Sequence, residues 1–305
     1  MNQNNDPETQ GFPQNFIQFE DVTFAYPPVE DEAEVTTIFH HFTAALPGGL
    51  VSLVGPNASG KSTFMLLAAG RLLPQRGSIH LLGQDTQRMT EQERDQLASF
   101  IYQNMEFDTE EPVAQLLQQV YQNGCFAGKC QPVADALQER TIFDGAENGT
   151  TRESPACKDL LEQVTHVLEL DELKAKPLKT LSKGQMQRVI LVFSFLYGSK
   201  SIFMDEPLFA LENKQKHRIL DYIRKYCEYF GITVYISMHE LELSRMYPHK
   251  VLLFYPNRDM DFGTPQEVLV PAALEKAYGV PAAMLKDAES LTRKNLQEQY
   301  QDLEA

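Results

Sequence analysis

A glycine-rich turn, set between a short apolar run and a helical pattern, is the part of this sequence best suited to chemistry. It consists of Gly55, Pro56, Asn57, Ala58, Ser59, Gly60, Lys61 and Ser62. This spacing is typical of a phosphate-binding loop, in which backbone N–H groups and a helix N-terminus bind phosphate oxygens. We expect Lys61 to reach the β- and γ-phosphates, Ser62 to ligate Mg²⁺ and Thr63 to contact the α-phosphate region. The turn therefore predicts binding of a nucleotide with Mg²⁺.

Two adjacent carboxylates follow a later apolar run, Ser201–Met204. Asp205 is placed to help hold Mg²⁺, and Glu206 to polarise an attacking water, because general-base chemistry requires a carboxylate within hydrogen-bond reach of that water. Paired acids at a strand end are common by chance. The pair becomes a specific signal for a nucleotide site only because the phosphate-binding turn is also present.

A third loop, residues 181–185, reads Leu-Ser-Lys-Gly-Gln. The Ser182 hydroxyl can donate to a γ-phosphate, and Gly184 permits close backbone approach. A helix predicted from Gln185 onward would direct its positive end at that phosphate. Lys183 could add attraction to phosphate or point to solvent.

The elements that position these loops follow from the spacing of apolar residues. Ile17–Tyr26 alternates apolar and polar residues and predicts an edge-type strand. Further strands are predicted at 50–54, 97–102, 201–204, 232–237 and 251–255, and helices at 62–72, 113–121 and 160–170. The runs at 201–204 and 232–237 are apolar enough for central parallel strands. No internal repeat is visible, which indicates one nucleotide-binding unit.

Composition argues against several classes of protein. The 305 residues carry a formal net charge of −15, which argues against a broad basic surface for binding DNA or RNA. No apolar run approaches the roughly 18 residues of a membrane span, and the Asn- and Gln-rich start does not resemble a secretory signal. The four cysteines lack a zinc spacing and are expected to be free thiols.

Taken in order, these motifs make the chain resemble an ATP-binding subunit of the ABC transporter superfamily, over residues 19–263. The resemblance implies that Tyr26 stacks on adenine and that Gln103 touches Mg²⁺ or water. Residues 181–185 match the signature loop, and Asp205 and Glu206 match the Walker B pair. Residues 210–212 occupy the D-loop position, and His239 matches the switch histidine that contacts the γ-phosphate.

The resemblance also implies the architecture. We expect an α/β fold, namely a P-loop NTPase core of the ABC ATPase type with a mixed sheet, an antiparallel β edge and an inserted α-helical subdomain. The core is expected at 15–106 and 181–270, and the helical subdomain at 107–180 with a polar insertion near 123–158. A disordered lead-in is expected at 1–14 and a C-terminal helical extension at 271–305.

The implied function is ATP hydrolysis coupled to transport. In the family, Ser182, Lys183, Gly184 and Gln185 would face the phosphate loop of a second subunit, so that a head-to-tail dimer closes around two ATP molecules. The partner is expected to be a second copy or another ABC ATPase. The catalytic set would be Glu206, His239, Gln103 and Lys61, with Ser62, Gln103 and Asp205 at the metal.

The resemblance further implies a membrane permease as partner, with a solute-binding protein on the far side and no nucleic acid. The chain would be peripheral at the cytoplasmic face of the cell membrane. Residues 238–243, 261–269 and 274–280 are similar to importers of iron complexes, cobalamin or metals. The alternatives are an exporter subunit, which Lys183 favours, a soluble ABC ATPase acting on DNA, ribosomes or cluster assembly, and a non-hydrolysing regulatory module.

Four positions depart from the usual family pattern. Lys183 replaces a glycine of the signature loop, and Ala58 replaces a frequent glycine of the phosphate loop. In the D-loop, Phe209 and Glu212 stand where serine and aspartate are usual. None of these changes removes a catalytic group, so hydrolysis remains the expectation, whereas the contacts across the dimer depend on the altered positions.

Overall fold

The computed structural model describes residues 12–27, 36–126 and 160–285. Most of the lead-in expected at 1–14, most of the insertion expected near 123–158 and the C-terminal extension beyond residue 285 lie outside the described residues.

Within the described ranges the strands are β1 (Ile17–Tyr26), β2 (Thr36–Leu46), β3 (Leu50–Val54), β4 (Arg76–Leu81), β5 (Gln84–Asp85), β6 (Ala98–Ile101), β7 (Ser201–Met204), β8 (Thr233–Ser237), β9 (Lys250–Phe254) and β10 (Met260–Gly263). The helices are α1 (Lys61–Ala68), α2 (Glu91–Leu97), α3 (Val113–Asn123), α4 (Leu160–Val167), α5 (Lys183–Tyr197), α6 (Asn213–Phe230), α7 (Leu241–Met246), α8 (Pro265–Val268) and α9 (Pro271–Tyr278).

A mixed sheet forms the centre of the described chain, with the strand order β10-β9-β3-β8-β7-β6. Every neighbouring pair is parallel except β10 with β9, which is antiparallel. All residues of β3, β7 and β8 are buried. Strands covered on both faces read as continuous apolar runs, and the prediction of central parallel strands is confirmed.

A second sheet is antiparallel and has the order β2-β1-β4-β5. Strand β1 pairs with β2 on one side and with β4 on the other. The prediction that residues 17–26 form an edge-type strand is therefore wrong. Alternation of apolar and polar residues indicates that one face of a strand is buried. It does not show whether the strand has one neighbour or two in its sheet.

Helix ends differ from the predicted bounds for local reasons. Helix α1 ends at Ala68 rather than at residue 72, and Gly70 shortly after it has a φ of +66°. A left-handed glycine at that point is a common helix stop. Helix α5 begins at Lys183, two residues before the predicted start, because Ser182 is its N-cap.

Helices α3 and α4 pack against α5 and share one apolar core with α6. Members of that core include Val113, Leu160, Val189 and Ile223, each at 0% exposure. The helix that carries the signature loop is thereby anchored along its buried face. The expected α/β fold, with a mixed sheet and a separate antiparallel sheet, is confirmed.

Candidate functional site

The phosphate-binding turn connects β3 to α1 and depends on two glycines. Gly55 has a φ of +146°, and a Cβ there would lie 2.6 Å from the carbonyl oxygen of Phe254. Gly60 has a φ of +103° and precedes α1 directly. Between them, the Ser59 side chain is buried and its Oγ has no hydrogen-bond partner. A buried hydroxyl without a partner is uncommon, and a phosphate oxygen bound in this turn would supply one.

Lys61 is buried at the start of α1, with 6% of its surface exposed. Its Nζ donates to the carbonyl oxygens of Gly55 and Pro56, both at 2.8 Å. Burial lowers the pKa of this ammonium, whereas the charges of Glu206 and Asp205 act in the opposite direction. A desolvated cation beside the turn is suited to bind phosphate oxygens.

Tyr26 stands at the end of β1, with 37% of its surface exposed. Its hydroxyl lies 3.2 Å from Thr63 Oγ1, and its ring packs edge-on against Phe24 at 5.0 Å between centroids. These contacts hold an exposed aromatic ring beside the first turn of α1, which also carries the exposed Ser62. A ring in this position can stack on a nucleotide base.

Glu206 lies where parallel strands β6, β7 and β8 end at one edge of the sheet. Its Oε2 accepts a hydrogen bond from Gln103 Nε2 at 2.8 Å, and its Oε1 lies 2.5 Å from His239 Nε2. Its φ is +49°, an unfavourable conformation for a residue with a Cβ. Such local strain is concentrated at functional positions. The structure thus brings together Glu206, Gln103 and His239.

Ser237, the last residue of β8, was not predicted as a site residue. Its Oγ donates to Asp205 Oδ1 at 2.7 Å and accepts from the N–H of Glu206 at 2.8 Å. It therefore orients both acids at once. The available signal was a hydroxyl residue at the end of a buried strand that neighbours the strand ending in the two carboxylates.

The oxygen donors near the turn fit Mg²⁺. One carboxylate oxygen of Asp205 is engaged by Ser237, which leaves the other to accept a ligand, and Ser62 and Gln103 add a hydroxyl and an amide oxygen. In the described ranges, no cluster of three or more His, Cys, Asp or Glu side chains could hold a metal. Mg²⁺ commonly binds with one or two carboxylates plus the phosphates of its nucleotide and water.

The loop at 181–185 forms the capped start of α5. Ser182 Oγ accepts from the N–H of Gln185 at 3.3 Å, and Gln185 Oε1 accepts from the N–H of Ser182 at 3.0 Å. Lys183 is exposed. A Cβ on Gly184 would lie 2.7 Å from the carbonyl oxygen of Ala210. The close approach at Gly184 therefore brings this loop against the D-loop segment of the same chain.

Among the residues that the structure describes, no hydrogen bond joins residues 182–185 to the phosphate loop or to Glu206. Phe209, beside Ala210, is 76% exposed. Glu212 is the N-cap residue of α6 and forms a capping box with Gln215.

Comparison with known proteins decides the family. Residues 42–209 match the ABC transporter family, which is more than half of the chain. This chain belongs to the ABC transporter family. The resemblance drawn from the motifs and the expected fold class, a P-loop core of the ABC ATPase type, are confirmed. ATP is the nucleotide that this family binds and hydrolyses.

The chain is similar to the hemin import ATP-binding protein HmuV of Pseudomonas putida, with 28% identity over 239 residues, 77% of this chain and 83% of the relative. It is 22% identical to the cobalamin import ATP-binding protein BtuD of Halobacterium salinarum over 240 residues, 79% of this chain and 54% of the relative.

Solved structures of ABC ATPases share the fold. Similarity to cbiO1 of Clostridium perfringens, part of an ABC transporter complex, has a TM-score of 0.61 at 18% identity and covers 85% of this chain and 92% of that chain. The dimeric post-hydrolysis structure of the cassette MJ0796, bound to ADP and Pi, has a TM-score of 0.54 at 21% identity and covers 78% of this chain and 94% of that chain.

Proposed function

We propose that this ABC ATPase subunit forms a head-to-tail dimer around two ATP molecules and powers import of a solute through a membrane permease. The observation that carries the hydrolytic part is the position of Glu206. It stands at the ends of the parallel strands, with Gln103 and His239 each on one of its carboxylate oxygens.

Within the proposed mechanism, the phosphate loop from Gly55 to Ser62 binds the phosphates through its backbone N–H groups. Lys61 compensates negative charge on the β- and γ-phosphates. Tyr26 stacks on adenine, and Thr63 contacts the α-phosphate region. Mg²⁺, held by Ser62, Asp205 and Gln103, supplies further charge compensation when bound.

Hydrolysis then needs an activated water. Glu206 takes up the proton of that water as its oxygen attacks the γ-phosphorus and the bond to the bridging oxygen of ADP breaks. His239 and Gln103 orient the carboxylate, and His239 exchanges this contact for the γ-phosphate when ATP is present. ADP and phosphate are the products.

The second half of each site comes from the partner subunit. Residues 182–185 form the capped N-terminus of α5, where Ser182 and Lys183 are exposed. A helix N-terminus attracts an anion. We propose that this anion is the γ-phosphate of the ATP bound to the phosphate loop of the second subunit. The dimer is formed by two copies or by a related ABC ATPase.

Import is supported by the relatives, which are import proteins for hemin and cobalamin. We propose a solute of the iron-complex, cobalamin or metal type, delivered by a solute-binding protein on the far side of the membrane. Lys183 alone favours the exporter alternative. On the basis of the same relatives, we assign the pore to a separate permease and the chain to its cytoplasmic face. No helix within the described ranges is both long and apolar enough to cross a membrane.

The surface that would receive the permease follows Gln103. Phe107 is 37% exposed there, two residues after Met105, and Tyr102, directly before Gln103, is 45% exposed. Aromatic side chains are enriched in the buried cores of protein interfaces, so we propose these two as contacts with the permease.

Detergent purification of the tagged chain with its permease tests this proposal. We expect an integral membrane protein to copurify at a fixed ratio, and Phe107→Glu to abolish that association. Phe262→Glu is the matched control, because Phe262 is 40% exposed on β10, and it should leave the complex intact. Purification with ribosomes or DNA, or without any membrane protein, would instead support a soluble ABC ATPase.

A further inference from the structure

Glu169 follows helix α4 in a backbone conformation that favours glycine. Its φ is +55°. Its N–H donates to the carbonyl oxygen of His166 at 3.0 Å, and the N–H of Leu170 donates to that of Thr165 at 2.9 Å. These bonds form a Schellman helix end, whose left-handed residue is most often glycine because a Cβ is disfavoured there. A glutamate at this position therefore has a backbone cost that contacts of its side chain must offset.

The Glu169 carboxylate joins two other helices. Its Oε2 accepts from Arg188 Nη1 on α5 at 3.1 Å and from Gln215 Nε2 on α6 at 2.8 Å. Its Oε1 accepts from Arg218 Nη1 on α6 at 2.8 Å. Arg188 also donates to the carbonyl oxygens of Leu168 and Glu169, each at 3.0 Å, and its side chain is only 11% exposed. Both carboxylate oxygens are thus engaged, by groups from different helices.

Gln215 extends this network to the D-loop. Its Oε1 accepts from the N–H of Glu212 at 3.3 Å, while its Nε2 donates to Glu169. Glu212 ends the D-loop segment, whose Ala210 carbonyl contacts Gly184 of the signature loop. The signature loop in turn begins α5, the helix that carries Arg188. The contacts therefore form a continuous ring that runs from the signature loop along α5 to Glu169, on to α6 and the D-loop, and back to the signature loop.

We infer that Glu169 is a positioning residue for the half of the ATP site that is presented to the second subunit. Its carboxylate fixes α5 relative to α6, and thereby the signature loop relative to the D-loop. This inference rests on the proposed function, because it concerns the face that would close on a partner's ATP.

Glu169 should affect dimerisation of the subunit but not its binding of ATP. Within the described chain, Glu169 has no hydrogen bond to the phosphate loop, to Glu206 or to Tyr26. Its removal should therefore leave ATP binding by a single subunit unchanged. Formation of the ATP-bound dimer should weaken, because the signature loop and the D-loop no longer have one fixed arrangement.

The test compares variants in the Glu206→Gln background, which should trap the ATP-bound dimer. Glu169→Gly removes the carboxylate while relieving the left-handed backbone, so the melting temperature should not fall. We expect the dimer dissociation constant at saturating Mg-ATP to rise about tenfold or more, as for contacts coupled in one network. Affinity for a fluorescent ATP analogue should change by less than about twofold. Glu169→Gln keeps one acceptor oxygen but turns an amide N–H₂ toward the donors on the other side, so it should restore dimerisation only in part.

Asp171→Ala is the matched control. Asp171 lies two residues further on, and its carboxylate contacts Lys174 and His166 rather than α5 or α6. This variant should dimerise like the Glu206→Gln parent. Equal dimerisation of Glu169→Gly and the parent would overturn the inference while leaving the proposed function in place. Loss of ATP-analogue binding together with dimerisation would also overturn it, since that pattern indicates general structural damage. A parent that stays monomeric would contradict the part of the proposed function that has two copies of this chain closing around ATP.

Discussion

Replacing Glu206 with glutamine should lower the rate of ATP hydrolysis by about 10²–10⁴-fold, the range for loss of a positioned general base. Glutamine has nearly the same shape and can still accept from Gln103, but it cannot take up a proton from the attacking water. ATP binding should persist, because the phosphate loop is untouched. Phosphate release and equilibrium binding of a fluorescent ATP analogue measure the two effects separately.

The same variant should accumulate as an ATP-bound dimer, detectable by light scattering at saturating Mg-ATP. Glu242→Gln is a suitable control, because Glu242 is an exposed acid on α7 close in sequence to His239. It should hydrolyse ATP at the unaltered rate. A Glu206→Gln protein that remains monomeric would argue against composite sites in the isolated subunit, and one with normal turnover would remove Glu206 from its assigned role.

Changing Lys61 to alanine should weaken nucleotide binding itself. The lost ammonium is buried beside the phosphate loop and donates to the carbonyl oxygens of Gly55 and Pro56. A charge-assisted hydrogen bond to phosphate contributes about 1.5–3 kcal/mol, so affinity should fall about tenfold to a hundredfold. Isothermal titration with a non-hydrolysable ATP analogue gives the change directly.

Lys200→Ala removes an exposed lysine instead and should leave nucleotide affinity unaltered. Thermal unfolding of both variants shows whether the fold is retained. Unchanged affinity in a folded Lys61→Ala protein would refute the role given to this side chain.

The positions of the catalytic strands could be predicted because their sequences are simple. Strands β7 and β8 are buried on both faces, so they appear as continuous apolar runs that end in polar residues. Parallel strands place those ends at one sheet edge. The meeting of Glu206 with His239 at this edge was therefore accessible from the sequence.

Other features could not be predicted from local pattern. The interior position of β1 depends on β2, the next strand along the chain, and on β4, which begins about 50 residues after β1 ends, and neither shows a clear strand pattern. Helix α6 was also missed, although its buried residues Ile219, Ile223 and Tyr226 follow helical spacing. Charged and polar residues dominate the rest of that helix and weaken the signal.

Hydrogen-bond networks were the least predictable. Ser237 orients both Asp205 and Glu206, yet a single serine in an apolar strand carries no motif. Glu169 is similar, since its importance depends on a left-handed helix end and on helices that are distant in the chain. The role of Gly184 became specific only when its contact with the Ala210 carbonyl was visible.

The central claim is that each ATP site is shared between two subunits, and mixing two inactive variants tests it most directly. Lys61→Ala removes the phosphate-loop half. Ser182→Asp keeps an N-cap residue for α5 but places a negative charge where the partner's γ-phosphate would lie. A mixed dimer of these variants contains one site with both halves intact.

We predict that each variant alone has little activity and that the equimolar mixture regains up to about a quarter of normal ATP turnover, because half of randomly formed dimers are mixed and each has one intact site. If mixed dimers form at the expected abundance but the mixture is no more active than the separate variants, the claim that each ATP site is shared between two subunits is contradicted.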